Sequence, residues 1–296
     1  MALIRPSKEQ RLEIKKLMVE WARVFRARHG QIDTYAAHRE LYAIFSDLGM
    51  GGAELSGYRA ERPNYEALGM TRKAGEPTDE DRAAYYRVTG GATLPEGSFI
   101  VPALFNDTDF IADRYMVKAT GALYDLHDRY LGRANDFNHD FLVEQARCRV
   151  IGLGVGYDPD TVLRSEVPAR ALQILNPYDQ YAGKYVALTA LLAFPKIEGD
   201  NTIERVKAGL LKDISIAFRS TAPLCSVCLT QYGEKRPMVE TSCFTECEEH
   251  GFPGGLTDEG TLVVGIMNSV VDAFTFGIVS DGAIPRACLV LDPTVR

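Results

Sequence analysis

At 296 residues the chain can hold one large domain, or a domain with a substantial extension. With 46% hydrophobic and 25% charged residues it can bury a core, which excludes global disorder. A net charge of −7 speaks against a general nucleic-acid binder, and no apolar run of about 18 residues is present to span a membrane. The opening "MALIRPSKEQ" turns charged too soon for a secretory signal, so a reducing cytosol is expected. In that setting the six cysteines point to metal or buried thiols rather than disulfides.

Along the chain, Ser7 caps a predicted helix running to about His29, and Asp33 caps a second that Gly49 and Gly51 stop. Residues 50–77 read as irregular, and Thr78 starts a short helix through Tyr86. A boundary near residue 95 separates this helical N-terminal extension (1–95) from a mixed α+β region (96–296). There, "GSFIVPALF" is strand-like, residues 112–131 read as a helix, and "ARCRVIGLGVGYD" and "GKYVALTALLAF" read as strands. Asn201 with Glu204 forms a capping box on a short helix ending at Gly209. "KDISIAFR" (212–219) is a strand with Ile214, Ile216 and Phe218 on one face and Asp213, Ser215, Ala217 and Arg219 on the other. Residues 221–260 are loop-like, and two further strands are expected in 261–280 and 281–293.

"GLGVG" (Gly152–Gly156) imitates a dinucleotide fingerprint. The third glycine position is Tyr157, and Pro159 stands where the phosphate-binding helix should begin. A bent, glycine-rich strand is the better account. His29 and His38 lie on the N-terminal helices with no partner pattern.

Cys225-x2-Cys228 followed by Cys247-x2-His250 supplies two short chelating pairs joined by a loop, the usual arrangement for tetrahedral zinc. Cys243 is a spare that can substitute for a member. Four protein ligands leave no open position, so the zinc would be structural, in an insertion covering about 221–258. Cys148 and Cys288 are expected to be buried.

Ser215 on a rigid strand is a candidate nucleophile, and a serine needs a base. His139, in "NDFNHDFL" among Asn135, Asp136, Asn138 and Asp140, is the first candidate; His127, inside a helical pattern, is the second.

Taken in order, "FNHD" (137–140), "RVIGLGVGYD" (149–158), "IERVKAGLLKDISIAFR" (203–219) and "DAFTFGIVSDGAIPRA" (272–287) resemble the head-maturation (prohead) serine proteases of tailed bacteriophages. The "CSVC" knuckle with the later "CEEHGFPG" is similar to a cysteine insertion that some phage relatives carry. The resemblance covers roughly residues 96–296. It implies an assemblin-like fold, a mostly antiparallel β-barrel flanked by helices. It also implies His139 as general base and Ser215 as nucleophile in peptide cleavage of scaffold and capsid-protein segments. The expected partners are capsid, scaffold or other virion proteins in a homo- or hetero-oligomer, and the expected location is the virion or the host cytoplasm. Two positions depart from the family: Ala217 replaces a glycine, and Thr275 stands near the expected acid. For the third member Asp272, Asp140 and Asp136 remain open. The departures keep a second expectation alive, a non-catalytic virion structural protein on the same fold.

Overall fold

The computed structural model describes residues 62–109, 116–137, 146–163, 166–231, 247, 249–250, 257, 263–279, 284 and 286–294. The two N-terminal helices expected from the sequence lie outside this set, as do His139, Asp140 and Cys243. No helix among the described residues is long and apolar enough to cross a membrane. The chain divides into two compact units. The larger is Arg59–Phe110, Val117–Thr221 and Ile266–Arg296; the described part of the smaller lies almost wholly in Ala222–Gly265.

The larger unit is α+β. Its first element, α1 (Asp79–Thr89), begins at Thr78, whose hydroxyl accepts the Asp81 N–H while the Asp81 carboxylate accepts the Thr78 N–H. The helix ends on Gly90 at φ 71°, where glycine carries no Cβ penalty. The strands β1 (Phe99–Asp107), β2 (Met116–Lys118), β3 (Asn135–Phe137), β4 (Arg149–Tyr157), β5 (Val186–Phe194) and β6 (Asp213–Ser220) follow in chain order. Interleaved with them are α2 (Thr120–Tyr130), α3 (Glu166–Leu175) and α4 (Thr202–Lys207). β7 (Leu224–Cys225) belongs to the smaller unit, and β8 (Gly265–Met267), β9 (Val270–Val279) and β10 (Cys288–Leu289) close the chain.

Seven strands form one mixed sheet in the order β3-β9-β6-β10-β1-β5-β4. Only the β3–β9 pair is parallel. The sheet curls until its two edge strands approach each other. Ala134 bridges Arg149, the Asn135 N–H donates to the Cys148 carbonyl at 3.1 Å, and the Val150 N–H donates to the Arg133 carbonyl at 2.9 Å. Curling of this kind satisfies edges that would otherwise be open pairing sites. The inner face holds Phe105, Tyr130 and Phe276, all 0% exposed, with Phe105 tilted on Phe276 at 4.9 Å and edge-on to Tyr130 at 5.9 Å. Burying a side chain of this size contributes about 1.5–3 kcal/mol.

Four sequence expectations change. The unit starts well before residue 95: Tyr65, Leu68 and Met70 pack with Leu104, Tyr185 and Val290, and Leu94 packs with Ile100, Ile151 and Ala193. The helix expected over 112–131 begins only at Thr120, because Met116–Lys118 is a strand buried on both faces, leading into an extended Ala119 at ψ 154°. Burial on both faces hides the period-2 pattern that would have marked it. Asn201 does not cap α4: its side chain makes no capping bond, and the Thr202 N–H goes instead to the Asp200 carboxylate at 2.7 Å. The strand expected over 261–280 breaks at Asn268–Ser269 into β8 and β9.

β4 confirms the bent-strand reading of "GLGVG". It pairs antiparallel with β5, with a register shift between Val150 and Gly152. A Cβ on Gly156 would overlap the backbone of Leu68. The glycines therefore permit close approach of another chain segment, not of a phosphate.

Candidate functional site

β7 delivers Cys225 into a tight turn. The Leu229 N–H donates back to the Cys225 carbonyl at 2.8 Å, and the Cys225 N–H donates to the Thr230 carbonyl at 2.9 Å. Leu229 sits at φ 60°, a left-handed conformation that a β-carbon-bearing residue adopts only under constraint. Ser226 ties the turn to residues 263–264. Its N–H donates to the Val264 carbonyl at 2.9 Å, and its hydroxyl accepts the Val264 N–H at 2.9 Å.

This turn brings Cys225, Cys228, Cys247 and His250 together, with one ligand atom of each lying within 4.8 Å of all the others. The Cys228 and Cys247 sulfurs are 3.6 Å apart. His250 Nδ1 is 3.6 Å from Cys247 Sγ and 3.8 Å from Cys225 Sγ. A tetrahedron with metal–sulfur bonds of about 2.3 Å and metal–nitrogen bonds of about 2.0 Å has edges of roughly 3.6–3.8 Å. The donor set therefore fits a tetrahedral metal in both chemistry and size. Cys225 and Cys247 are buried against Val263, and Cys228 packs at their edge. Burial opposes ionisation of the Cys228 and Cys247 thiols alike. At Cys228 the hydrogen bonds with Thr230, Cys247 and His250 outweigh it and bring the thiol down to about 7. At Cys247 burial leads and holds the thiol at about 11. Cys148 is buried as expected, and burial pushes its thiol well up. Cys288 is only half-buried, 3.8 Å from the Tyr65 hydroxyl.

In the larger unit, Ser215 lies half-buried on β6. Its cross-strand partner on β9 is Gly277, and Gly277 in turn pairs with Asp136 on β3. Side chains in register across neighbouring strands share a face, so Ser215, Gly277 and Asp136 form one row. Ile216, Phe276 and Asn135 form the adjacent row on the opposite, core-facing side. Asp136 is 2% exposed. Asn135 anchors that strand: its Oδ1 accepts the N–H groups of Arg147 and Cys148 at 2.7 and 2.6 Å, and its Nδ2 donates to the Asp136 carbonyl at 2.9 Å.

Asp272 is not in this row. It pairs with Arg219, four positions along β6 from Ser215, roughly 13 Å away at strand rise. Its carboxylate accepts the neighbouring Ala273 N–H at 2.9 Å. The Thr275 hydroxyl donates to the Ala134 carbonyl at 2.9 Å. His127 is a surface residue beside Asp128, 3.0 Å away. Ala217 marks a bulge between Ile216 and Phe218, and the Tyr130 hydroxyl fills it by donating to the carbonyls of Ala217 and Thr275 at 2.7 and 3.1 Å.

The sequence reading missed a buried ionic group at the end of β1. Asp109 pairs with Arg286, both 3% exposed at the side chain. Asp107 accepts from the Tyr185 hydroxyl at 3.2 Å, and the Arg286 guanidinium lies 5.0 Å from the centre of the Tyr185 ring. The only signal was the polar run "NDTD" (106–109) closing an apolar strand, and that pattern also marks an ordinary turn. No family model, curated protein or solved structure matches the chain.

Proposed function

We propose that this chain is a serine endopeptidase of the phage head-maturation type, with a structural zinc held by Cys225, Cys228, Cys247 and His250. The observation that carries the reading is the placement of Ser215 on a rigid, paired strand, in one row with Gly277 and a buried carboxylate. The chain reaches His139 only three residues after that carboxylate. In this reading Ser215 Oγ attacks a peptide carbonyl while His139 takes its proton. The oxygen of the tetrahedral intermediate accepts backbone N–H bonds, a contribution usually worth about 3–4 kcal/mol. His139 then returns the proton to the leaving amine, and water hydrolyses the acyl-enzyme. The substrates are scaffold and capsid-protein segments, met in the virion or the host cytoplasm by an oligomer of this chain or a mixed assembly. Zinc, when bound, cross-links two ends of a loop and has no open position for chemistry.

A second reading is a non-catalytic virion component. It is favoured by Thr275, whose hydroxyl is committed to the Ala134 carbonyl where the resemblance leads one to expect an acid. Fluorophosphonate labelling of the purified chain, followed by peptide mapping, separates the two. The peptidase reading expects the adduct on Ser215 and none in Ser215→Ala. An unlabelled Ser215 in the zinc-loaded wild type leaves the structural reading standing.

A further inference from the structure

We infer that the pocket bounded by the loop after β4, by α3 and by the turn before β5 binds a small organic acid with an aromatic or branched aliphatic body. The inference does not depend on the peptidase reading. A preformed cavity, apolar walls and one uncompensated cation carry it.

The cavity measures about 320 Å³ and lies wholly within the larger unit. That size falls in the range of small-molecule sites. The chain itself holds the walls in place. Asp158, 1% exposed, closes the loop after β4: its carboxylate accepts the N–H groups of Asn64 and Asp160 at 2.8 and 3.0 Å and the Thr161 hydroxyl at 2.6 Å. The Asp158 N–H donates to the Tyr185 carbonyl at 3.2 Å, which ties the loop to the turn before β5. In that turn Gly183 sits at φ 73°, and a Cβ there would meet the Ala169 carbonyl at 2.8 Å, so the turn lies directly on α3.

Tyr157, Val162, Leu163, Ala169 and Tyr185 supply the apolar lining. The Tyr185 hydroxyl serves Asp107, so its ring is what it offers a ligand. Val162 is 79% exposed, an apolar side chain left uncovered at the mouth.

Among the described residues the lining holds one acid, Asp158, and one base, Lys184. The acid already meets three donors. Lys184 is exposed, its ammonium stands 5.5 Å from the centre of the Tyr157 ring, and among the described residues no carboxylate pairs with it. The charge left without a counterpart is therefore positive, and it sits over an aromatic wall. A ligand that completes the site presents a carboxylate to Lys184 and an apolar body to the rings. An amine would meet a like charge there, and a neutral ligand would leave the ammonium as it stands. A free acid and the apolar last residue of a peptide share this chemistry.

The test is calorimetric titration of the full chain, with its zinc, by phenylpropionate, phenylpropanol and propionate. Phenylpropionate should bind once per chain with a dissociation constant of about 1 mM or tighter. The alcohol lacks the charge and propionate lacks the body, so each should bind at least about fivefold more weakly. Lys184→Gln should weaken phenylpropionate about fivefold, leave phenylpropanol unchanged and keep the wild-type melting temperature. Ala169→Phe fills the pocket from α3 and should abolish binding of both; if it does not fold, Lys184→Gln decides. N-acetyl-alanyl-phenylalanine separates the two sources: tighter binding than phenylpropionate assigns a peptide end, weaker binding the free acid. No saturable binding below about 20 mM, equal affinity for acid and alcohol, or an unchanged phenylpropionate affinity in Lys184→Gln overturns the inference. None of these readings involves labelling at Ser215, so the peptidase reading stands or falls separately.

Discussion

At the scale of single residues, the most exacting demand on this chain is the ionic group at the end of β1. Burial, then the neighbouring Asp109, raises the Asp107 carboxyl, while Lys118 and Arg286 pull it down. Arg286 faces Asp109, Asp107 and the Tyr185 ring together. Arg286→Ala would leave Asp109 buried beside a second acid without its guanidinium, a change that costs about 3–5 kcal/mol. The pH dependence has a definite sign. Removing a positive neighbour raises Asp107 further, so the folded state binds that proton more tightly than the unfolded state does. Stability then falls as pH rises above the ordinary carboxylate range and returns as pH drops back toward it. Urea unfolding midpoints at pH 7 and pH 5 should therefore show a smaller loss for Arg286→Ala at pH 5. An equal loss at both would mean that the arginine acts through packing alone. None of this was legible in the sequence, since charge pairing between positions 109 and 286 leaves no local pattern. The metal ligands were legible because chelation needs short spacings, and the Cys225/Cys228 and Cys247/His250 pairs carry theirs openly.

At the scale of elements, legibility followed periodicity and end signals. β1, β4, β5 and β6 stand where alternation or a short apolar run placed them. α1 was marked by its cap at Thr78. β2 was absorbed into a predicted helix because Met116, Val117 and Lys118 are all buried, and a three-residue strand is too short to show a period. β3, which carries Asp136, is equally short and draws its strand character from pairing with β9. The strand that carries Ser215 could thus be read from the sequence; the strand β3 could not, although Asp136 stood among the three acids left open there. The glycines of β4 offer an element-level test. A Cβ at Gly156 meets the Leu68 backbone, which cannot swing aside, whereas one at Gly154 meets only the Thr189 hydroxyl at 3.1 Å, which can rotate. Gly156→Ala should destabilise by roughly 1–3 kcal/mol and Gly154→Ala by clearly less, read from denaturant midpoints. Equal effects would remove close approach as the reason for that glycine.

At the scale of the whole molecule, the two compact units draw stability from different sources. The larger closes a seven-stranded sheet over an aromatic and aliphatic core, a source independent of any ion. The described part of the smaller has few large apolar side chains at its centre: Cys225, Cys247 and Val263 are its buried cluster, with Cys228 at the edge. Ordering a loop costs backbone entropy of roughly 1–2 kcal/mol per residue. A tetrahedral zinc would offset much of that cost, since such sites supply on the order of 10 kcal/mol. Metal removal should therefore act locally. One zinc per chain is expected by elemental analysis, and Cys225→Ser should lose it. After chelation, amide exchange should accelerate at Cys225, Ser226, Leu229 and Val264, whose N–H groups are held by the knuckle's own hydrogen bonds. The amides of β1, β4 and β5 should keep their protection, because their partners are one another. Uniform loss of protection across both sets would mean that the ion supports the whole chain. No change in either set would mean that the four ligands hold no structural metal.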